Sequence, residues 1–486
     1  MAEPKLFSKS IVENMVRFQG AFDDSMDFIV REFKITGTPA ALLSIEGLVD
    51  KQTVAQSIMN PILKAPVLET EPEQKMKFLR DDVLSAVDQS QIVEFEDALQ
   101  RMMSGFAVLM MDGVDWVLAF GVQGFAYRSI TEPNNETAQR GSREGFTEPL
   151  QINMSMIRRR MKTPDLKFER MTVGEKSKTI ICLCYLRSVV SKEILEKVKE
   201  NINQIHLETV MEAGYLTPFL EKRSIFNGIG LSERPDTVCG KISEGRIAIL
   251  VDGTPNVIII PYLFVENFQS FDDYVIRPFY ATFIRWLKYL AFFVAMFLPG
   301  VYVAVVTFHP ELLPETLLIK IAQAEASTPF PIMLEAIVIH FLYEIMREAG
   351  LRVPKPLGHA VSIVGALVIG DTAVTSGLIG APTLMVIALT AISSYVAPNL
   401  YEPIALMRLV FILIGGLMGL WAIMLAFGFL LINICTESVY QIPFTAPLSP
   451  FSRKSMRDVL IRADWRTLSK RTSRVQDMPG SNVRKL

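Results

Sequence analysis

The sequence predicts an α/β region of two small subdomains followed by an all-α polytopic transmembrane domain. Three observations predict it. Half of the 486 residues are apolar, and the mean hydropathy of +0.31 is high for a soluble protein. The apolar residues are concentrated: from Ala360 to Ile434 the only charged residues are Asp371, Glu402 and Arg408. Residues 1–280, by contrast, form an ordinary charged globular sequence carrying two apolar–Asp-Gly–apolar units of one type. The expected divisions are 1–130 and 150–278 for the two cytoplasmic subdomains, 279–437 for the transmembrane domain and 438–486 for a basic cytoplasmic tail. A chain of this length needs more than one core.

The first thirty residues carry Glu3, Lys5, Lys9, Glu13, Arg17 and Asp23 with no continuous apolar stretch. They do not read as a secretory signal, so the first half is expected in the cytoplasm. Cys182, Cys184, Cys239 and Cys435 contain no C-x-x-C pair and fit buried thiols better than a disulfide framework. Ala40–Val49 is short and apolar and reads as a strand. Asp81–Met103 reads as one helix, because Val83, Val87, Ile92, Phe95, Leu99 and Met102 recur at helical spacing. Phe106–Met111 and Trp116–Phe120 flank Asp112-Gly113, and Ile247–Val251 and Val257–Pro261 flank Asp252-Gly253. Each reads as a hairpin, since Asp-Gly favours a tight turn. Thr179–Leu186 reads as a further strand and Ser191–Ile205 as a helix capped by Ser191. Arg128–Pro149 is rich in Thr, Asn, Gly, Glu and Arg. A long exposed loop of that kind needs a partner or a task, which makes Arg128, Arg140 and Arg143 candidate subunit contacts.

Catalytic constellations are missing from the sequence. It has no Walker loop and no H-E-x-x-H, and His206, His309, His340 and His359 are scattered. Asp112 and Asp252 are better explained as turn residues than as acids. No enzyme activity, cofactor, metal or nucleic-acid partner is expected.

Trp286–Phe308 is long enough to cross a hydrocarbon core of roughly 30 Å, and Arg277, Arg285 and Lys288 place its start in the cytoplasm. His309–Thr328 is net acidic and suits the far side. Phe330–Met346 is apolar but interrupted by Glu335, His340 and Glu344. His340, Glu344 and Arg347 fall within about 60° of one another on a helix, with Glu335 opposite. Such a helix packs inside a bundle or borders water, so His340 and Glu344 are candidate intramembrane polar sites. Ala360–Gly380 and Pro382–Ala397 are two apolar runs, and Ala405–Ile434 reads as one last long run. The ten basic residues from Arg453 to Lys485 favour the cytoplasm. Five crossings would leave that tail outside, so four are preferred, with Pro382–Ala397 re-entrant or lying in the outer interface.

Ala360–Gly380 is the most informative helix. Ser362, Gly365, Ala366, Ala373, Ser376 and Gly380 share one side, a small-residue stripe that lets another helix approach. Val361, Val364, Val368, Asp371 and Thr375 lie opposite within about 80°. Repeated around an oligomer, they would form valine rings able to gate by dewetting beside a carboxylate ring favouring cations. The alternative is that Asp371 pairs with a basic group inside a packed bundle. Two wider alternatives also stand: a secondary transporter, against which four or five spans without a repeat argue, and a non-conducting membrane scaffold.

The chain resembles the A subunits of bacterial spore germinant receptors (GerA type). The resemblance rests on Arg128-Ser-Ile-Thr-Glu-Pro133, Arg140-Gly141, Glu233-Arg-Pro-Asp236, Glu244-Gly-Arg-Ile-Ala-Ile-Leu-Val-Asp-Gly253, Pro329-Phe-Pro331 and Arg347-Glu-Ala-Gly-Leu-Arg-Val-Pro-Lys-Pro-Leu-Gly358. It covers about residues 100 to 450. It implies a protein of the spore inner membrane in nutrient-triggered germination, built as a pentameric ion channel. It also implies a transporter-like B subunit that binds the nutrient and a lipoprotein C subunit. By the same resemblance Ala360–Gly380 matches the pore-lining segment, with Val361, Val364 and Val368 as its constriction. Asp371 departs from the uncharged polar residue expected there. A paralogous group encoded with stage V sporulation genes shares the fold without sensing nutrient directly.

Overall fold

The structure is a computed structural model that describes residues 6–23, 25–66, 70–84, 88–124, 133, 136, 140–352, 370–453, 455–469 and 474–483. Its first half is built twice over. In the first unit α1 (Ile11–Phe22) precedes β1 (Phe28–Ile35) and β2 (Thr38–Ile45). Helical stretches over 51–64 and 72–83 follow, then β3 (Gln89–Ile92), α2 (Phe95–Met103), β4 (Phe106–Met111) and β5 (Val117–Gly121). The second unit runs in the same order: α3 (Leu150–Arg160), β6 (Leu166–Val173), β7 (Thr179–Leu186), α4 (Lys192–Asn203), β8 (Gly230–Ser232), α5 (Pro235–Ser243), β9 (Ile247–Val251) and β10 (Val257–Ile260). The sheets are antiparallel, β1-β2-β4-β5-β3 and β6-β7-β9-β10-β8, so the second repeats the strand order of the first.

The repeat extends to individual hydrogen bonds. Gly113 and Gly253 supply the positive φ of the two Asp-Gly turns, 85° and 93°, which a Cβ would oppose. Asp112 Oδ1 accepts from the Ile11 amide at 3.0 Å, and Asp252 Oδ1 from the Leu150 amide at 3.1 Å. Each turn carboxylate thus satisfies an otherwise orphaned N–H at the start of its unit's first helix. Asn14 and Asn153, both buried, clasp the backbone six residues earlier, at Ser8 and Thr147.

Two expectations for this half are corrected. Asp81–Met103 is not one helix: β3 pairs with β5 at the sheet edge, and only α2 is helical beyond it. Edge pairing overrides the local spacing. Ser191 precedes α4 but its side chain makes no capping bond there.

The units meet at a buried ion pair. Arg158 of α3 donates to Asp27, next to β1, at 2.7 and 2.8 Å. Lys167 donates to the Phe22 carbonyl across the same seam.

Beyond the second unit the chain is helical: α6 (Pro278–Phe308), α7 (Glu315–Ala326), α8 (Ile332–Arg352), α9 (Gly370–Thr375), α10 (Ala381–Ser394) and α11 (Tyr401–Thr436). By length and composition α6 and α11 are each able to cross a membrane. The run Ala405–Ile434, read from sequence as one span, is broken. Gly419 has φ 74° and ψ −165°, a conformation open essentially to glycine alone. Phe411 and Phe427 both pack on the Phe297 ring, at 4.5 and 5.1 Å. In a straight helix sixteen residues would separate them by about 24 Å, so α11 doubles back as a hairpin of two arms. Gly300 of α6 and Gly415 of the first arm bring the two backbones into contact, and a Cβ on Gly300 would lie 2.5 Å from the Phe411 carbonyl oxygen.

The second arm leads back to the second unit. Ile442, Ala446, Val459, Val475 and Val483 join the same core as β7, β9 and β10. Asp458 receives Arg285 of α6 at 2.9 Å, beside the buried Arg285–Asp273 pair at 2.8 Å. The segment read from sequence as a basic tail is therefore a folded part of the second unit, lying where α6 begins.

Candidate functional site in the helical bundle

Three charged or titratable side chains are buried, and a fourth half-buried, where α6, α8, α10 and α11 converge. Glu335 is fully buried; its Oε2 accepts from the Gly380 amide at 3.3 Å. Arg408, also fully buried, donates from Nε to the Ala295 carbonyl at 2.8 Å. His340 is buried between them in sequence, and Glu344 lies half-buried one turn further along α8. Both Glu344 oxygens accept from the Tyr401 hydroxyl at 2.7 Å, and Arg347 Nε donates to Glu344 Oε2 at 3.2 Å. The Arg347 guanidinium also stacks 3.9 Å over the Tyr401 ring, a cation–π contact that fixes the start of α11 against α8.

Several polar atoms here have no hydrogen-bond partner among the described residues: Glu335 Oε1, His340 Nδ1, Tyr343 Oη and both Arg408 Nη atoms. Unpartnered polar groups are expensive in an apolar interior. Their clustering in one bundle marks a place suited to water or an ion. No group of three or more His, Cys, Asp or Glu side chains fit to hold a metal occurs among the described residues.

The structure distributes the sequence-predicted residues unevenly. His340 and Glu344 belong to this cluster, and Glu335, placed opposite them on α8, is also inside because helices pack on both sides. Val361, Val364, Val368, Ser362, Gly365, Ala366 and Arg128 lie outside the described residues. Asp371 and Thr375 are exposed on α9, Ala373 is buried against Val303 and Ile387, and Ser376 is exposed. Arg140 and Arg143 are exposed. Around them the loop is anchored within the chain: Arg234 donates to the Glu136 and Ser142 carbonyls at 3.1 and 3.0 Å and stacks on Phe271. Burial raises the Glu136 carboxyl, although Ser232 and the Glu233 amide donate to it. The sequence reading missed Arg408 and Tyr401, whose partners are remote in the chain. An arginine isolated in an apolar run was the one available signal.

A duplicated α/β region followed by a bundle of apolar helices with buried charges defines a class of membrane-associated protein. The family model described as Bacillus/Clostridium GerA spore germination protein matches residues 16–474. Spore germination protein KA of Bacillus subtilis is 37% identical over 479 residues, covering 97% of this chain and 88% of its own. Spore germination protein B1 of the same organism is 31% identical, covering 95% of each. An uncharacterized membrane protein of that organism, YfkQ, is 35% identical over 96% of this chain and 91% of its own. The crystal structure of the N-terminal domain of the A subunit of the Bacillus megaterium spore germinant receptor GerK3 is 28% identical, with a TM-score of 0.42, covering 54% of this chain and 98% of that domain. The chain belongs to the GerA family of spore germination proteins.

Proposed function

We propose that the chain is the A subunit of a nutrient-responsive germinant receptor, assembling with copies of itself, as a pentamer, into a channel that releases monovalent cations. In this reading it sits in the spore inner membrane with its α/β units in the cytoplasm. It works with a transporter-like B subunit and a lipoprotein C subunit. The observation that carries the reading is the two-sidedness of α9. Ala373 packs into the bundle while Asp371 and Thr375 are left exposed, although an uncovered carboxylate is out of place against lipid. A water-filled axis between subunits gives that face an environment it tolerates, and a carboxylate ring there favours cations.

The fold also supports an even number of crossings, because α6 leaves from the second unit and the second arm of α11 returns to it. Exposed Trp421 and Phe429 on the second arm suit contact with lipid. Subunit counting on the detergent-solubilised protein tests the assembly, with a single monomeric species as the contrary result. Cysteine labelling on intact membranes tests the topology: a cysteine at Asn203 reached by an impermeant reagent contradicts a cytoplasmic second unit.

A further inference from the structure

We propose that the cavity where the last membrane helix joins the second unit binds a small organic compound bearing a primary ammonium group, held by Glu221 and Glu437. The cavity measures about 400 Å³, within the roughly 300–1,000 Å³ of small-molecule sites. It is lined by α4, the segment 220–222, Gly228 and the turn 437–441 that ends α11. Ile194, Leu220 and Val439 give it apolar walls.

Its polar groups are almost all spoken for. Glu193 accepts from Gln441 Nε2 at 2.7 Å, Lys197 pairs with Glu200 at 2.7 Å, and Ser224 donates to Glu437 Oε2 at 2.6 Å. Tyr440 donates to the Leu220 carbonyl at 2.8 Å and accepts from Asn201 at 3.2 Å, and Lys222 reaches Ser438 at 3.4 Å. The exception is Glu221 Oε2, which is shielded from solvent and has no hydrogen-bond partner among the described residues. A buried carboxylate oxygen in this position calls for a donor, best a charged one. Burial raises both Glu221 and Glu437; the Gly228 amide opposes the rise at Glu221, Ser224 and Lys222 oppose it at Glu437, and the Glu437 charge adds to the rise at Glu221. A bound cation relieves that repulsion, and the volume together with apolar walls selects an organic cation over a bare ion.

The location adds a consequence. Glu437 is the residue that closes α11. Tyr440 and Gln441 beside it hold φ values of 47° and 66°, left-handed conformations that non-glycine residues adopt at a cost. A ligand here bridges the second unit and the returning arm, so its occupancy bears directly on how that arm is seated.

The test is isothermal titration of the full-length protein in detergent with n-butylammonium chloride, against potassium chloride and sodium butyrate. Saturable heat with butylammonium alone, weakened at least tenfold in Glu221→Gln and in Glu437→Gln, supports the site. Both variants keep side-chain shape, and an unchanged thermal unfolding midpoint shows that they fold. Equal affinity in the folded Glu221→Gln protein overturns the proposal, as does saturation by potassium at the same concentrations or the absence of saturable heat. The outcome is independent of the channel reading, since binding is measured without a membrane potential or flux.

Discussion

Replacing Asp27 with alanine isolates the joint between the two α/β units. Arg158 is fully buried, and Asp27 is 1% exposed. The substitution removes the bonds at 2.7 and 2.8 Å and leaves Arg158 the Thr163 and Leu166 carbonyls, at 3.0 and 3.1 Å, and the Ser25 hydroxyl. Carbonyl dipoles do not replace a carboxylate for a desolvated guanidinium. Breaking a buried pair from one side costs about 3–5 kcal/mol, which at about 1.36 kcal/mol per decade is two to nearly four decades in the local opening equilibrium. Global unfolding of a chain with several cores does not report this cleanly, so the assay is native-state hydrogen exchange resolved to β1 and β6. Asp27→Ala is expected to speed exchange there by at least a hundredfold while leaving β9 and β10 unchanged. Asp27→Leu with Arg158→Met is expected to restore most of the protection, because replacing both charges by apolar groups is often neutral or stabilising. Acceleration below fivefold in Asp27→Ala would refute the reasoning.

Three further outcomes follow from other parts of the structure. Gly415→Val drives a side chain into the Gly300 carbonyl and should lower stability by about 1–3 kcal/mol. Gly428→Val, with nothing within 4 Å of the added Cβ, is the control in the same thermal unfolding series in detergent. Tyr401→Phe removes the hydroxyl shared by both Glu344 oxygens. A loss of about 1.5–3 kcal/mol is expected for a bond to a charged group, and a midpoint equal to wild type would contradict the contact. Burial of Lys167 at the unit seam lowers its ammonium to about 8 from the ordinary 10.5. The unfolded chain then binds more protons between those values, so this group's contribution to stability rises with pH across that window. Lys167→Met should flatten that part of the stability–pH curve relative to wild type, and identical slopes would contradict the shift.

What the sequence revealed depended on how local each signal was. Asp112-Gly113 and Asp252-Gly253 are two-residue signals, and they located both central hairpins and pointed to two subdomains. The Arg158–Asp27 pair spans 131 residues and leaves no local trace. Gly419 escaped notice because it is one of four glycines in an apolar run whose composition still reads as a span, whereas its backbone angles reverse the chain. Residues 438–486 read as a basic cytoplasmic tail because their basic residues outnumber the few core positions, among them Ile442, Val459, Val475 and Val483, that dock them. The Glu233-Arg-Pro-Asp236 motif was legible as a resemblance, but its task was not. Arg234 ties down the loop from Glu136 to Ser142, a contact set by folding rather than by spacing.

Cation flux through the protein reconstituted in liposomes tests the central claim most directly, measured with wild type and Val364→Ser in the absence of nutrient. If the Ala360–Gly380 run is helical, Val364 shares the side that carries Asp371 and Thr375. A polar substitution in a dewetted apolar ring admits water and ions. The account predicts tight wild-type vesicles and a constitutive cation leak in Val364→Ser, with Asp371→Asn closed at rest. Tight Val364→Ser vesicles alongside a leak in Ser362 or Ala366 variants would show that the opposite helix face lines the path. No leak in any of them would contradict the channel itself.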